Sequence, residues 1–200
     1  MKPNPNAVGI LIESVGEPEC DELMSYLTDQ LSDNGKAPSG YFMPRSQNES
    51  GVSPDKEKSF RAGLTIPIGS PGWRRAWVAR ASNRQIAGHV DLRSHSERFA
   101  THRCLLGLGV QRDHRRLGVG AALLAHASEW ALAHPGLEWL DLQVFSTNEA
   151  AMRLYLRAGF VKVGEVAEMF KIDGRLFSEI TMTKRLREKP HSDSQEIREG

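Results

Sequence analysis

Val110-Gln-Arg-Asp-His-Arg-Arg-Leu-Gly-Val-Gly-Ala-Ala-Leu-Leu124 is the densest stretch of this chain. An apolar run, Cys104 to Val110, leads into it and reads as a strand. A polar, basic loop follows. Gly118 and Gly120 then open a long apolar pattern, Leu117 to His134, which Pro135-Gly136 ends. The first turn of a helix leaves backbone N–H groups unpaired, with partial positive charge. Glycines there let an anion close on the backbone, and Arg115 and Arg116 add charge. In physical terms the stretch is a diphosphate cradle.

Two familiar cradles fail here. A P-loop needs Gly-Lys-Ser/Thr at the helix start, which the chain lacks. A dinucleotide fingerprint needs a third glycine. Gly107-Leu-Gly109-Val-Gln-Arg112 ends in arginine, and Gly118-Val-Gly120-Ala-Ala-Leu123 ends in leucine, which crowds the helix–strand contact.

Outward from the cradle, Leu137 to Phe145 alternates as a strand. With the preceding strand and helix it makes a parallel crossover unit, expected right-handed. Thr147 to Ala158 reads as a helix stopped by Gly159. Phe160 to Val166 and Phe170 to Thr183 read as strands, with a hairpin signal at Asp173-Gly174. Upstream, Trp73 to Arg80 and Gln85 to Leu92 are joined by Ser82-Asn83-Arg84. Before the turn Gly69 to Gly72 come a strand, Ala7 to Val15, and a helix within Pro18 to Asn34. A Ser- and Pro-rich loop from Lys36 to Pro54 and a short helix from Ser53-Pro54 to Leu64 follow. The 36–59 segment reads as a plain surface loop rather than a lid. The chain is expected to form one domain over residues 1–184, with a disordered tail at 185–200. The elements read as a mixed sheet with helices, parallel at the crossover and antiparallel where short turns join the flanking strands.

A second element has its own physical sense. Asn148 and Tyr155 are seven residues apart, so they share one helix face. Ala151 between them leaves room for a ligand, and Thr147 or Asn148 can cap the helix. Arg115-Arg-Leu-Gly118-Val-Gly120 matches the Arg/Gln-x-x-Gly-x-Gly/Ala signature of the GCN5-related N-acetyltransferases (GNAT). Asn148 with Leu154-Tyr155-Leu-Arg-Ala-Gly159-Phe160 resembles that family's second element. The resemblance covers roughly Trp73 to Lys184, which would be the domain's core (73–184), and implies the family's α/β fold: a mixed, mostly antiparallel sheet of six or seven strands with helices on both faces.

That resemblance implies acetyl-CoA as co-substrate, lying between the strand ending at Val110 and the strand Glu138 to Phe145. Backbone N–H groups from Arg115 to Ala121 (Arg116, Gly118, Val119 and Gly120 among them) would hold the pyrophosphate. Leu108, Gly109 and Val110 would pair with the pantetheine arm, and an N–H near Val110 would polarise the thioester. Asn148, with Ala151 beside it, would contact the arm. Tyr155 would protonate the departing thiolate. The attacking amine needs a base or a water chain. The strand before Val110 carries no glutamate, and His102, Asp91 and Glu168 are candidates of equal standing with a water relay. The acceptor is expected to be a small-molecule primary amine. A protein acetyltransferase and a non-catalytic CoA-binding module are the alternatives.

Composition narrows the partners. Of 200 residues, 26 are Lys or Arg and 25 Asp or Glu, so no basic excess points to nucleic acid. No apolar run suits a membrane helix, and two cysteines, Cys20 and Cys104, make no disulfide scaffold. Both read as buried structural thiols. The seven histidines form no metal-binding pattern, so no metal is expected. A cytoplasmic protein is the expectation, with a homodimer as the default assembly.

Overall fold

Strand polarity alternates through this chain except at one crossover, and that exception shapes the site. The computed structural model describes residues 9–49 and 51–187. In chain order the elements are β1 (Leu11–Ser14), α1 (Cys20–Leu31), α2 (Pro54–Thr65), β2 (Arg74–Arg80), β3 (Ile86–Ser94), β4 (Arg103–Val110), α3 (Val119–Leu132), β5 (Trp139–Phe145), α4 (Glu149–Arg157), β6 (Val161–Ile172) and β7 (Arg175–Arg185). A 3₁₀ turn, Arg112–His114, lies between β4 and α3. The strands form one seven-stranded sheet in the order β1-β2-β3-β4-β5-β7-β6. Every pairing is antiparallel except β4 with β5, which the α3 crossover makes parallel.

Side-chain alternation along the strands assigns the two faces. Trp77, Val90, Leu92, Leu106, Leu140, Leu142, Ile180 and Met182 point to the face covered by α3 and α4 and build the main core with Val119, Leu123, Leu124, Ala127 and Tyr155. Ala76, Val78 and Ile86 point to the other face, under Cys20, Leu23, Met24 and Tyr26 of α1 and Phe60 of α2. Both cysteines are buried free thiols. Two local devices seat α2. Ser53 caps its start, accepting from Lys56 N, with Pro54 in the first turn. Arg75 closes its far end by donating to the carbonyls of Leu64 and Ile66 at 2.9 and 3.1 Å.

Three expectations change. Ala7 and Val8 of the expected first strand lie outside the described residues, and β1 itself starts at Leu11. The gap read between Val166 and Phe170 is a bulge inside one strand: the register with β7 shifts there, and Glu168 takes φ 51°. The tail does not begin at 185. Arg185 pairs with Trp139, Leu186 N donates to Glu138 O at 2.8 Å, and Arg187 donates to Leu132 O. Residues 185–187 therefore belong to the domain, and the rest of the expected tail lies outside the described residues.

Gly88 sets how closely α3 approaches the sheet. A Cβ there would lie 2.9 Å from Gly109 O and from Leu123 Cδ1, and 3.0 Å from Val119 Cγ1. Gly88→Ala overpacks this contact and should lower the unfolding free energy by about 1–3 kcal/mol with an unchanged denaturant slope. Urea titration checks it; a midpoint matching the wild type would show that α3 has slack over β3.

Candidate active site

β4 and β5 share only three register pairs, Arg103↔Trp139, Cys104↔Leu140 and Leu105↔Asp141. Beyond them β4 runs on to Val110 and β5 to Phe145 without pairing each other. The direction of the freed backbone groups follows from two bonds. Gln111 N donates to Ala87 O of the β3 side at 2.9 Å, and His102 O accepts from Glu138 N of the β5 side at 2.7 Å. Strand alternation then turns the backbone of Leu106, Leu108 and Val110 toward the opening and that of Gly107 and Gly109 toward β3. The opening is thus lined by strand-edge donors and acceptors placed to pair with an extended ligand, apart from Val110 O, which accepts from Arg115 Nε.

At its mouth stands the start of α3. Gly118 occupies the N-cap position with φ 86°, and no side chain caps the helix. Arg116 before it also takes a left-handed φ of 63°. The N–H groups of Val119, Gly120 and Ala121 therefore lie in an uncapped first turn with the helix dipole behind them. The glycines divide the labour. Gly118 supplies a backbone conformation that ordinary residues resist. At Gly120 a Cβ would meet Leu154 Cδ2 at 3.2 Å and Val110 Cγ2 at 3.3 Å, so its bareness serves packing between α3, β4 and α4. The two arginines differ as well. Arg116 is exposed, whereas Arg115 donates to Val110 O at 3.3 Å and to Ser39 Oγ at 2.8 Å.

The helix α4 brings the second sequence element to the same end of the sheet. Asn148 is its N-cap, with Oδ1 accepting from Ala151 N at 3.2 Å. That bond uses the carbonyl half of the carboxamide and leaves the amide half for another partner. Ala151 packs half-buried against the main core. Tyr155 is buried beside Phe160, with ring centroids 5.8 Å apart. Burial pushes its phenol up to about 12, so it holds its proton at neutral pH.

On the opposite face, side chains of β3 and α1 lean over the bare positions of β4. A Cβ at Gly109 would strike Gln30 and His89, and one at Gly107 would strike Asp91 Oδ2. Gln30 Nε2 donates to Tyr26 Oη at 2.9 Å, and His89 Nδ1 lies 3.5 Å from the same hydroxyl. Of the three candidate bases only Asp91 comes near the separated part of β4, its Oδ2 leaning over Gly107. His102 precedes β4 at its paired end, and Glu168 sits on the bulge of the edge strand β6. Across the opening Gln143 is exposed although β5 is a central strand, so that face of the sheet is uncovered there. Sequence reading missed Tyr26, Gln30 and His89. The i, i+4 pair on α1 was visible, but not what it would cover.

The segment after α1 is more than a surface loop. Asn34 holds it from within, accepting from Phe42 N and Met43 N and donating to the carbonyls of Met43 and Arg45. The β6–β7 hairpin tip holds it from outside. Asp173 accepts from Tyr41 Oη at 2.7 Å, Ser46 Oγ at 2.6 Å and Gln47 N at 2.9 Å. Those donors keep its carboxyl below the usual carboxylate range. With the Arg115–Ser39 bond, the segment forms a strap between the α3 cradle and the hairpin.

Comparison with known proteins bears on the family and the fold. The model of the acetyltransferase (GNAT) family matches residues 41–160. A 98-residue stretch is 30% identical to the catalytic subunit NAA10 of the N-terminal acetyltransferase A complex of Arabidopsis thaliana, covering 49% of this chain and 51% of that protein. The chain thus spans about half the length of this relative. Among solved structures, a GNAT-family acetyltransferase from Streptococcus pneumoniae superposes with a TM-score of 0.73 at 23% identity, over 88% of this chain and 99% of that one. The spermidine N-acetyltransferase of Vibrio cholerae, solved with CoA and spermine, gives 0.66 at 17% identity over 88% and 95%. At these identities the structures speak for the fold.

His89 supplies a solution test of the packed face. Burial lowers its pKa to about 4, against an ordinary value near 6.5. The unfolded chain binds the extra proton first, so stability is full above pH ~6.5 and falls as the pH drops toward 4. The loss should be on the order of 3 kcal/mol. Denaturant titrations at pH 7 and pH 4.5 should show it in the wild type and show less in His89→Gln; equal losses in both would place the titration elsewhere.

Proposed function

The chain belongs to the acetyltransferase (GNAT) family, and on that premise we propose that it transfers the acetyl group of acetyl-CoA to a primary amine by direct attack. The observation that carries this is the opening between β4 and β5, edged by unpaired backbone and closed at one end by an uncapped helix start. The residues fit the co-substrate. A pyrophosphate is received by the N–H groups from Gly118 to Ala121, with Arg116 exposed beside them. A pantetheine arm pairs with Leu108 and Val110 as an added strand, with Gly109 between them and the Asn148 amide alongside. Because the pyrophosphate end lies beyond Val110, the thioester end falls at Leu108, where the inward N–H polarises the carbonyl.

Tyr155 then serves the leaving group. A phenol near 12 is a weaker acid than an ordinary thiol near 8.5, so it acts first as a hydrogen-bond donor to the developing thiolate. The proton follows as the tetrahedral centre collapses and the attacking nitrogen sheds its own. Asp91 and the uncovered face at Gln143 lie on the side open to the acceptor.

A small acceptor is favoured over a polypeptide. The strap pinned to Asp173 and Arg115 crosses the end of the sheet that a peptide groove would need open. The relationship to the Arabidopsis N-terminal acetyltransferase subunit favours the second reading, a protein acceptor. A panel of free amines and short peptides separates them.

Two variants and a melting experiment test the reading. Acetyl-CoA at a hundred times its Kd should stabilise the protein by about 2.7 kcal/mol, roughly 5–10 °C for a domain of this size, while NADH and ATP give no comparable shift. Gly118→Asn should abolish the acetyl-CoA shift with little change in the free protein's Tm, because asparagine tolerates left-handed backbone and lays a carboxamide over the first-turn N–H groups. Tyr155→Phe should lower kcat by about 10²-fold or more with acetyl-CoA affinity unchanged. An undiminished kcat in that variant on a good acceptor removes the acid role.

A further inference from the structure

The polar groups above Gly107 are arranged for more than a bare amine. Arg74 on β2 and Arg93 on β3 are register partners, and Asp91 lies on the same face, two residues from Arg93. Both guanidinium groups bind the same carboxylate oxygen: Arg74 Nη1 lies 2.6 Å and Arg93 Nη1 3.2 Å from Asp91 Oδ1. Asp91 is only 6% exposed, yet its second oxygen, Oδ2, has no hydrogen-bond partner among the described residues. That oxygen is the one leaning over Gly107.

Arg93 is unfinished in the complementary sense. Arg74 is turned inward, desolvated against the Phe60 ring 4.5 Å away. Arg103 is likewise engaged with Asp141, its Nε at 2.7 Å, and with Thr183. Arg93 has a side chain 34% exposed, and its remaining guanidinium donors have no partner among the described residues. Its Nη1 would lie 3.2 Å from a Cβ at Gly107. One free carboxylate oxygen and one open guanidinium fork therefore stand side by side over a backbone position with no side chain. Leu106 and Leu108, whose backbone faces the opening, flank that position.

We infer that the acceptor is an amino carboxylate, its ammonium group received by Asp91 Oδ2 and its carboxylate by Arg93, above Gly107. The inference rests on the acetyl-transfer reading and adds the acceptor's class to it. A lone amine would leave the Arg93 fork unmatched, and a polyamine would bring a second cation toward two arginines and one aspartate. An amino carboxylate matches both charges, and a guanidinium binds a carboxylate in a planar two-bond geometry. The transfer balances. The ammonium loses one proton to solvent before attack. The C–N bond forms as the C–S bond breaks, the nitrogen sheds a second proton, and the thiolate takes one through Tyr155, whose own proton is restored.

The test compares the twenty α-amino acids with their decarboxylated amines, such as leucine against isoamylamine and lysine against cadaverine, with spermidine and a short peptide alongside. The wild type should use at least one amino acid with a kcat/KM about tenfold or more above that of its amine. Arg93→Ala should raise KM for that amino acid on the order of 10–100-fold and change its kcat and the amine's KM little. Arg93→Lys should restore part of the loss. The fold should survive, since Arg74 still holds Asp91, and the acetyl-CoA melting shift reports that. Gly107→Ala, whose methyl would collide with Asp91 Oδ2 and so displaces that carboxylate, should raise KM for amino acid and amine alike. Acetyl-CoA binding with turnover of spermidine or the peptide but of no amino acid overturns the inference alone. So does an Arg93→Ala effect equal for amino acid and amine. Absence of acetyl-CoA binding in the wild type overturns the functional reading and the inference with it.

Discussion

β4 and β5 stay in register for three pairs and then part, and the rest of the molecule is organised around that separation. A strand edge inside a sheet cannot stay unpaired without cost, because each buried N–H and carbonyl seeks a partner. Everything at the opening serves to keep it apart and to give its edges something to bind. Gly88 and Gly120 let α3 settle against β3, β4 and α4. The crossover then returns β5 parallel to β4, and β7 takes up its far side along its full length. The vacancy is left on the β4 side, beside the helix start.

The two faces of the sheet treat the opening differently. On the α3–α4 face the packing is dense and apolar, and the Tyr155 phenol is held there as a proton-bearing group. On the α1–α2 face the bare positions of β4 are overlaid by polar side chains from β3 and α1, and Gln143 on a central strand is open to solvent. On the proposed reading, one face presents an acid to the leaving group while the other admits the acceptor. The strap links them mechanically, since Arg115 touches the end of β4 and Ser39, and the strap in turn meets the hairpin at Asp173.

The cradle was legible in the sequence because its physics is local. Glycines at a helix start, a basic loop and an apolar strand are neighbours in the chain. The Asn148–Tyr155 spacing was legible for the same reason, as a helix fixes the relation of residues seven apart. The bulge at Glu168 read as a break because an extra residue interrupts alternation without ending the strand. The sequence places the start of the tail at 185 because charge dominates the run from Lys184 to Arg187. In the fold Arg185 pairs with β5, and Leu186 packs on the main core.

By itself the sequence determined the α/β alternation, the parallel crossover, the glycine-opened helix start and the capped α4, all set by contacts within a few residues. Only the tertiary structure decided what stands above Gly107 and Gly109. Asp91, Arg93, His89, Tyr26 and Gln30 come from β3 and α1, and they reach β4 because glycine leaves the space empty and the strand register sets them opposite it. The strap was decided there too, since Tyr41, Ser46 and Gln47 meet Asp173 across more than a hundred residues of chain. Such contacts depend on which strands become neighbours, and no local pattern carries that information.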